Sequence, residues 1–442
     1  MTMKEFVGFV LVLVCLCLFP RHGQAQEPCA ELFGAIEKGN IQQVSSILAN
    51  GVNVNCRGNF RYTPLITAAK YNRLEIAQFL IEKGADVNAA SEMCESEGEG
   101  GYTPLIWASR NCHVAMAELL MKEGAKIGQT AFEGDDTPLI VAASKGCVSL
   151  VTIFVNSGAE INYGRADDRE TALSASIHWG HLDVADYLIG KGADLKWRDR
   201  SGKSLLMVAA ASGFYAEVRY LAEKGLDVNT KDEDGNTAIF VAVGDSRERL
   251  HVLEYLIKHG GDVSLNNHFG YSPLMAAASG GYRKAARLLI DNGARVNDKN
   301  EYGETPLHVG ARAFLASTDP GMQEQPIVSS ILDLLLENGA EVNARDRKGL
   351  TPLMIASGSG DLEGTRVLLG HGAQINAQDG RGWTALMHAA WENRVALIKL
   401  LAERGADLNL KAKSGGTALT IARDTARSKE AYELLKSLGA KE

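Results

Sequence analysis

Residues 63–88 read TPLITAAKYNRLEIAQFLIEKGADVN, and this stretch decides the fold. Thr63 offers a side-chain oxygen to a free backbone N–H, the usual way a helix begins. Pro64 suits the first helical turn, where its missing N–H is not needed. Leu65, Ala68 and Ala69 then share one face at helical spacing, and the small alanines let another helix approach closely. After a turn, Ile76, Phe79 and Leu80 mark one face of a second helix. Gly84 ends that helix because it tolerates a left-handed backbone. From Asn88 to the next threonine the chain is a polar turn. The unit is therefore helix, turn, helix, loop, and one copy cannot bury its own apolar faces.

The same unit recurs. Its opening tripeptide appears at Thr63, Thr103, Thr137, Thr171, Ser204, Thr237, Ser272, Thr305, Thr351, Thr384 and Thr417, mostly 33 or 34 residues apart. A closing signature recurs too, as in Gly84-Ala85-Asp86-Val87-Asn88, Gly293-Ala294-Arg295-Val296-Asn297 and Gly339-Ala340-Glu341-Val342-Asn343. An earlier unit starts near residue 30 without the tripeptide, running from Glu31-Leu32-Phe33 to Gly51-Val52-Asn53-Val54-Asn55, and reads as an N-terminal cap. The last unit ends in a polar helix with Arg427, Lys429, Glu430 and Lys436, as a C-terminal cap must, since its outer face meets water. About twelve units result, and stacking them buries what one cannot. The expected fold is an all-α repeat solenoid occupying 26–442 as a single domain, with strand confined to short hairpin-like loops.

This pattern resembles the ankyrin repeat, down to its T-P-L-x-x-A-A and G-A-D-x-N signatures, over about residues 29–440. The resemblance implies a protein-binding scaffold that uses its loop tips and the inner face of its first helices. Three steps are longer than the rest. Extra residues are expected in loops at 89–101, near 245–250 and at 314–326, where insertion is tolerated or serves a binding face.

The start of the chain reads differently. Lys4 precedes an apolar run from Phe6 to Phe19, and Gly23-Gln24-Ala25 follows with small residues two apart. That is the pattern of a secretory signal peptide over 1–25, cleaved after Ala25, with an uncleaved signal anchor as the alternative. The apolar run is short of the roughly 20 residues a bilayer crossing takes. No other segment has an unbroken apolar length to cross a membrane. Asn-x-Ser/Thr is absent, which favours a bacterial periplasm over a eukaryotic secretory route. Cleavage would remove Lys4, Glu5 and Arg21 and take the formal charge from -8 to -9. Such a balance argues against nucleic acid as the partner, because phosphate binding needs a basic stripe.

Five cysteines follow residue 25: Cys29, Cys56, Cys94, Cys112 and Cys147. An oxidising compartment permits disulfides, and an odd count leaves at least one thiol over. At most two bonds are expected. Cys112 with Cys147 is the first choice, because both fall at the turn between helices in adjacent units; free buried cysteine is the alternative.

Catalytic constellations are missing. The sequence holds no G-x-x-x-x-G-K-[ST], H-E-x-x-H or G-x-S-x-G. His178 and His181 lack further ligands at metal spacing. Asp135-Asp136 and Asp167-Asp168 fall in loops, where solvated carboxylates are ordinary. No cofactor, no metal and no enzymatic activity are expected.

What remains is surface. Before the tripeptides, or near the tips, lie Phe60, Tyr62, Tyr102, Phe132, Tyr163, Trp197, Phe269, Tyr271, Tyr302 and Trp383. Seven and eight residues after each opening threonine lie Tyr71, Arg110, Lys145, His178, Trp179, Arg312 and Trp391. Aromatic and arginine side chains dominate interface energetics, so this set is the candidate partner-binding face. Trp179 and Trp391 are the expected anchors, because small residues such as Ser212, Gly358 and Ser359 fill their positions in other units. The leading reading is a monomeric scaffold for another protein in the periplasm or outside the cell. The alternative is a secreted effector acting on a host or rival cell.

Overall fold

The computed structural model describes residues 27–58, 62–91, 101–131, 136–312, 326–425 and 428–442. Within them the chain is an all-α repeat solenoid of paired helices. The only strand-like feature among the described residues is an isolated antiparallel bridge between Arg198 and Ser204. The pairs fall into two compact units, Met1–Asp194 and Leu195–Glu442.

In the first unit the first helices are Glu27–Lys38, Pro64–Lys70, Pro104–Arg110, Pro138–Ser144 and Ala172–His178. Their second helices are Ile41–Ala49, Leu74–Glu82, Val114–Lys122, Val148–Asn156 and Leu182–Gly190. Each first helix packs on the next first helix, and each second helix on the next second helix. The second unit repeats this arrangement, from Leu205–Ser212 with Tyr215–Glu223 to Ala418–Asp424 with Lys429–Ser437.

The opening threonines and serines begin the first helices as their chemistry demands. Thr63 Oγ1 accepts from the Ile66 N–H at 3.3 Å, and Thr103, Thr137, Ser204, Ser272 and Thr384 repeat the bond. Seven residues alone would not hold a helix in water; burial does. Leu65, Ile66, Ala68 and Ala69 are all buried, each leucine or isoleucine contributing roughly 1.5–3 kcal/mol. Second helices are two-faced: Ile76, Ala77 and Leu80 face inward while Glu75, Gln78 and Glu82 face water. Gly84 takes φ +89° after the second helix. In the turn between helices, Gly146 takes φ +68°, and a Cβ there would lie 2.5 Å from the His181 ring.

The closing asparagines stitch one unit to the next. Asn229 Nδ2 donates to Gly260 O at 2.8 Å while its Oδ1 accepts from the Asp262 N–H at 2.8 Å. Asn88 does the same with Gly124 and Lys126, and Asn297 with Gly339 and Glu341. Gly128, Lys196 and Ser264 occupy this place in three units.

The lengthened steps have different outcomes. Of the 89–101 insert, residues 92–100 lie outside the described residues. Its base is closed by the Ser91 N–H donating to Tyr102 O and the Gly101 N–H donating to Ser91 O, both at 3.0 Å. The 314–326 insert lies outside the described residues up to Pro326, as do the 1–25 segment, Cys94 and Arg427. The extra residues near 245–250 do not form a free loop. They lengthen a second helix to Arg247–Lys258, twelve residues where nine are usual. Asp245 accepts from the Ala285 N–H at 3.0 Å at the start of the following second helix. Arg249 donates to Ala211 O at 2.7 Å and Val243 O at 3.1 Å. This insertion is structural.

Two disulfides are present, Cys29–Cys56 and Cys112–Cys147, with Cα atoms 6.4 and 5.7 Å apart. Cys112 and Cys147 sit in turns rather than on helix bodies, so their backbones approach more closely than packed helix axes, about 8–10 Å apart.

One buried histidine ties the second unit to pH. His308 is fully buried. Its Nδ1 accepts from the Thr305 N–H at 3.2 Å, and its Nε2 meets Leu350 O at 3.1 Å, as a ring N–H donor would. A second proton at Nδ1 would face the Thr305 N–H, leaving the Thr305 hydroxyl, 2.9 Å away, as its acceptor. Burial holds its pKa below the ordinary 6.5. A histidine lowered on folding contributes stability that is present above its unfolded pKa and lost as pH falls through that value towards the folded one. Urea unfolding should therefore give a lower midpoint at pH 5.5 than at pH 7.5, with a shallower fall for His308→Gln; an equal slope in the variant would remove His308 as the cause.

Candidate protein-binding face

In the first unit the ends of successive first helices lie side by side because they are bonded to one another. Asn111 Nδ2 donates to Lys70 O at 3.1 Å, and the His113 ring meets Ala69 O at 3.0 Å. Cys112 is joined to Cys147. His181 Nε2 meets Ser144 O at 3.1 Å. This row presents Lys70, Tyr71, Arg110, Lys145, His178 and Trp179. Trp179 is 56% exposed. The His178 ring lies edge-on at 5.3 Å, and Lys145 Nζ sits 5.9 Å from the Trp179 ring centre. Tyr71, which caps its helix, is exposed as well.

Beside the row the structure corrects one expectation. Tyr62 is only 6% exposed and is not an open contact point. Its ring stands edge-on to Trp107, 5.7 Å between centres, and Tyr102 lies 5.7 Å from the same indole. Tyr102 is half-buried against Ile106, Ala131 and Val141. Lys70 Nζ lies 4.6 Å over Trp107, and Arg110 lies 5.2 Å from it. Trp107 was not singled out in the sequence. The available signal was its place four residues after Thr103, where Thr67, Val141 and Ala175 stand in neighbouring repeats. Phe60 and Phe132 lie outside the described residues, and Trp197 and Tyr163 are half-buried.

The acidic loop residues also differ from a solvated pair. Asp136 and Glu170 are partly withdrawn from water and converge with Asp167 and Asp168 on Arg165, at 3.3, 2.9, 3.1 and 3.5 Å respectively. Burial pushes the carboxyls of Asp136 and Glu170 up despite the guanidinium beside them.

In the second unit Trp391 closes the helix Ala385–Trp391 and is 47% exposed. Its ring lies 5.6 Å from Trp383, which carries Arg381 at 4.2 Å and His388 at 5.3 Å. Asp379 supports this group. Its carboxylate accepts from the Arg381 and Trp383 N–H groups at 2.8 Å each and meets His388 Nε2 at 3.1 Å. Burial would raise the Asp379 carboxyl, but these bonds outweigh it and hold its pKa below the usual range. Tyr302 and Phe269 stand exposed at loop tips. Tyr271 is half-buried, edge-on to Phe240 at 6.3 Å. Arg312 is already paired, its guanidinium 2.6 Å from the nearly buried Glu304.

Chemically, this surface offers flat aromatic area and cationic side chains. Among the described residues no three His, Cys, Asp or Glu side chains are grouped to hold a metal ion. No helix among them is long and apolar enough to cross a membrane.

Known proteins share the pattern. The family model described as "Ankyrin repeats (3 copies)" matches residues 32–131, 128–199, 192–267, 245–317 and 327–412, and the single "Ankyrin repeat" model matches 302–347. The chain is 33% identical over 79 residues to protein phosphatase 1 regulatory subunit 12A of Mus musculus and, at the same identity and length, of Rattus norvegicus. Each alignment takes in 18% of this chain and 8% of the relative. It is 36% identical over 69 residues, 14% of its length, to an ankyrin repeat protein of Rickettsia bellii (strain RML369-C), spanning 41% of that protein.

Proposed function

Because this chain belongs to the ankyrin-repeat family, we propose that it is a non-catalytic scaffold holding another protein against the inner ends of its first helices. The observation that carries this reading is the exposure of Trp179 and Trp391, one in each unit, at helix ends where the fold accepts small residues elsewhere. Large exposed indoles flanked by cations suit an interface better than a surface left to water. Fold alone does not assign a partner. The mouse relative is by its name a regulatory subunit, which agrees with a scaffold.

The compartment proposed is the periplasm or the extracellular space. It rests on the signal-peptide pattern of residues 1–25 and on the cysteine pairs Cys29–Cys56 and Cys112–Cys147, which suit an oxidising environment. Fractionation of cells and medium distinguishes a resident scaffold from a released effector.

Trp179→Ala and Trp391→Ala are expected to leave stability within about 0.5 kcal/mol of the parent, as surface changes do. Each is expected to weaken partner capture by about 2 kcal/mol or more, roughly thirtyfold. Thermal melts beside quantitative affinity capture check both. Unfolding by either substitution would make that tryptophan a core residue, and unchanged capture would remove it from the interface.

A further inference from the structure

We propose that the row Lys70, Arg110, Lys145 and Trp179 receives an extended acidic polypeptide segment, with a carboxylate at about every third residue. The proposal rests on the inner-face reading above and names the partner's chemistry for the first unit.

Charge is segregated along this row. The whole chain carries -8. Yet at the seventh and eighth positions after Thr63, Thr103, Thr137 and Thr171 there is no carboxylate. Those positions hold Lys70, Tyr71, Arg110, Lys145, His178 and Trp179, with Asn111 and Ser144 as the neutral remainder. The equivalent positions of the second unit include Asp245, Glu392 and Asp424.

The row is also continuous. Asn111 joins its unit to Lys70, the Cys112–Cys147 bond joins the next pair, and His181 joins the last to Ser144. Four helix ends thus form one uninterrupted line.

The lysines of the row rest on aromatic rings. Lys70 lies over Trp107 and Tyr62, and Lys145 lies towards Trp179. Among the described residues neither lysine has a carboxylate within ion-pair distance. A ring beneath an ammonium leaves its remaining donors free to bind an anion. Arg110 lies beside the Tyr102 and Trp107 rings.

Spacing then sets the register. Packed helices stand about 8–10 Å apart, and a partner in the extended polyproline II conformation rises about 3.1 Å per residue and turns once in about three residues, so every third side chain faces the same way. Three residues of an extended partner cover one repeat, so acidic side chains at every third position meet successive cations. Trp179 ends the line and suits an apolar or aromatic residue. The competing role for Lys70 and Arg110 is purely local: a cation in the last helical turn offsets the helix dipole. That role affects folding and predicts no ligand preference.

The test uses the full disulfide-bonded chain and dye-labelled 15-residue peptides in fluorescence anisotropy. One peptide carries Glu at every third position, one carries Lys at the same positions, and one carries the same Glu residues in a single block. A thymidine oligonucleotide serves as a fourth probe. The spaced Glu peptide is expected to bind about tenfold tighter than each of the other three, with affinity falling as salt rises. Lys70→Gln with Lys145→Gln should reduce its binding about tenfold or more while leaving the melting temperature near that of the parent. The proposal is overturned if the spaced Glu peptide binds no better than its Lys counterpart, or if the double variant binds it unchanged. Tighter binding of the oligonucleotide overturns it too and reassigns the row to nucleic acid. If the peptide fails while Trp179→Ala still weakens capture of the native partner, the acidic chemistry is wrong and the inner-face reading stands.

Discussion

Replacing Arg165 by methionine is expected to destabilise the first unit by about 2 kcal/mol, below the cost of breaking a fully buried ion pair because solvent still reaches these groups. Methionine keeps much of the packing volume and removes the charge. Asp136 and Glu170, both partly withdrawn from water, then face each other and Asp168 without the guanidinium. Asp167 and Asp168 are exposed and add little, since solvent screens them. The sign with pH follows. Burial and mutual repulsion raise the two withdrawn carboxyls above their unfolded values, so the variant's deficit is largest at neutral pH and shrinks as acid protonates them. Adding Asp136→Asn should recover part of the loss. Urea unfolding at pH 7 and pH 5 measures all three quantities; a deficit that does not depend on pH would assign the loss to packing instead.

Removing the Cys112–Cys147 bond is the other large effect. The bond spans a sequence separation of 35, for which loop-closure entropy gives about 4 kcal/mol. Cys112 adopts φ +56°, and Asn72 and Asn393 hold nearly the same conformation in the corresponding turns of other units. Cys112→Asn with Cys147→Ser therefore removes the bond without adding backbone strain. The expected result is a lower unfolding midpoint for the first unit, read by hydrogen exchange around residues 104–156, with the second unit unchanged. Thiol titration of the unfolded, unreduced chain should find one free group among the five cysteines after residue 25. Five free groups would contradict both disulfides.

The parts of the fold that were legible in the sequence are those decided within one repeat. Thr63 as a cap, Leu65 and Ala68 as buried face and Gly84 as a left-handed stop depend only on neighbours a few residues away. What was not legible depends on the adjacent repeat, some 30 to 40 residues distant. Asn229 reads as a loop residue until Gly260 and Asp262 are placed beside it. Tyr62 reads as a tip aromatic until Trp107 arrives from the next unit to cover it. Asp245 and Arg249 read as loop insertion, yet one starts the following second helix and the other reaches back to Ala211. For the candidate face, the positions of Trp179 and Trp391 followed from counting along the helix, whereas the pairing of Arg312 with Glu304 required the folded chain.

The central claim is that the partner lies on the inner ends of the first helices. A photo-crosslinking amino acid placed at Trp179, and separately at the solvent-facing second-helix position Gln78, tests it in the cell that makes the protein. A discrete adduct with one protein is expected from position 179 and none from position 78. An adduct from position 78 alone, or the same adduct from both, would contradict the claim.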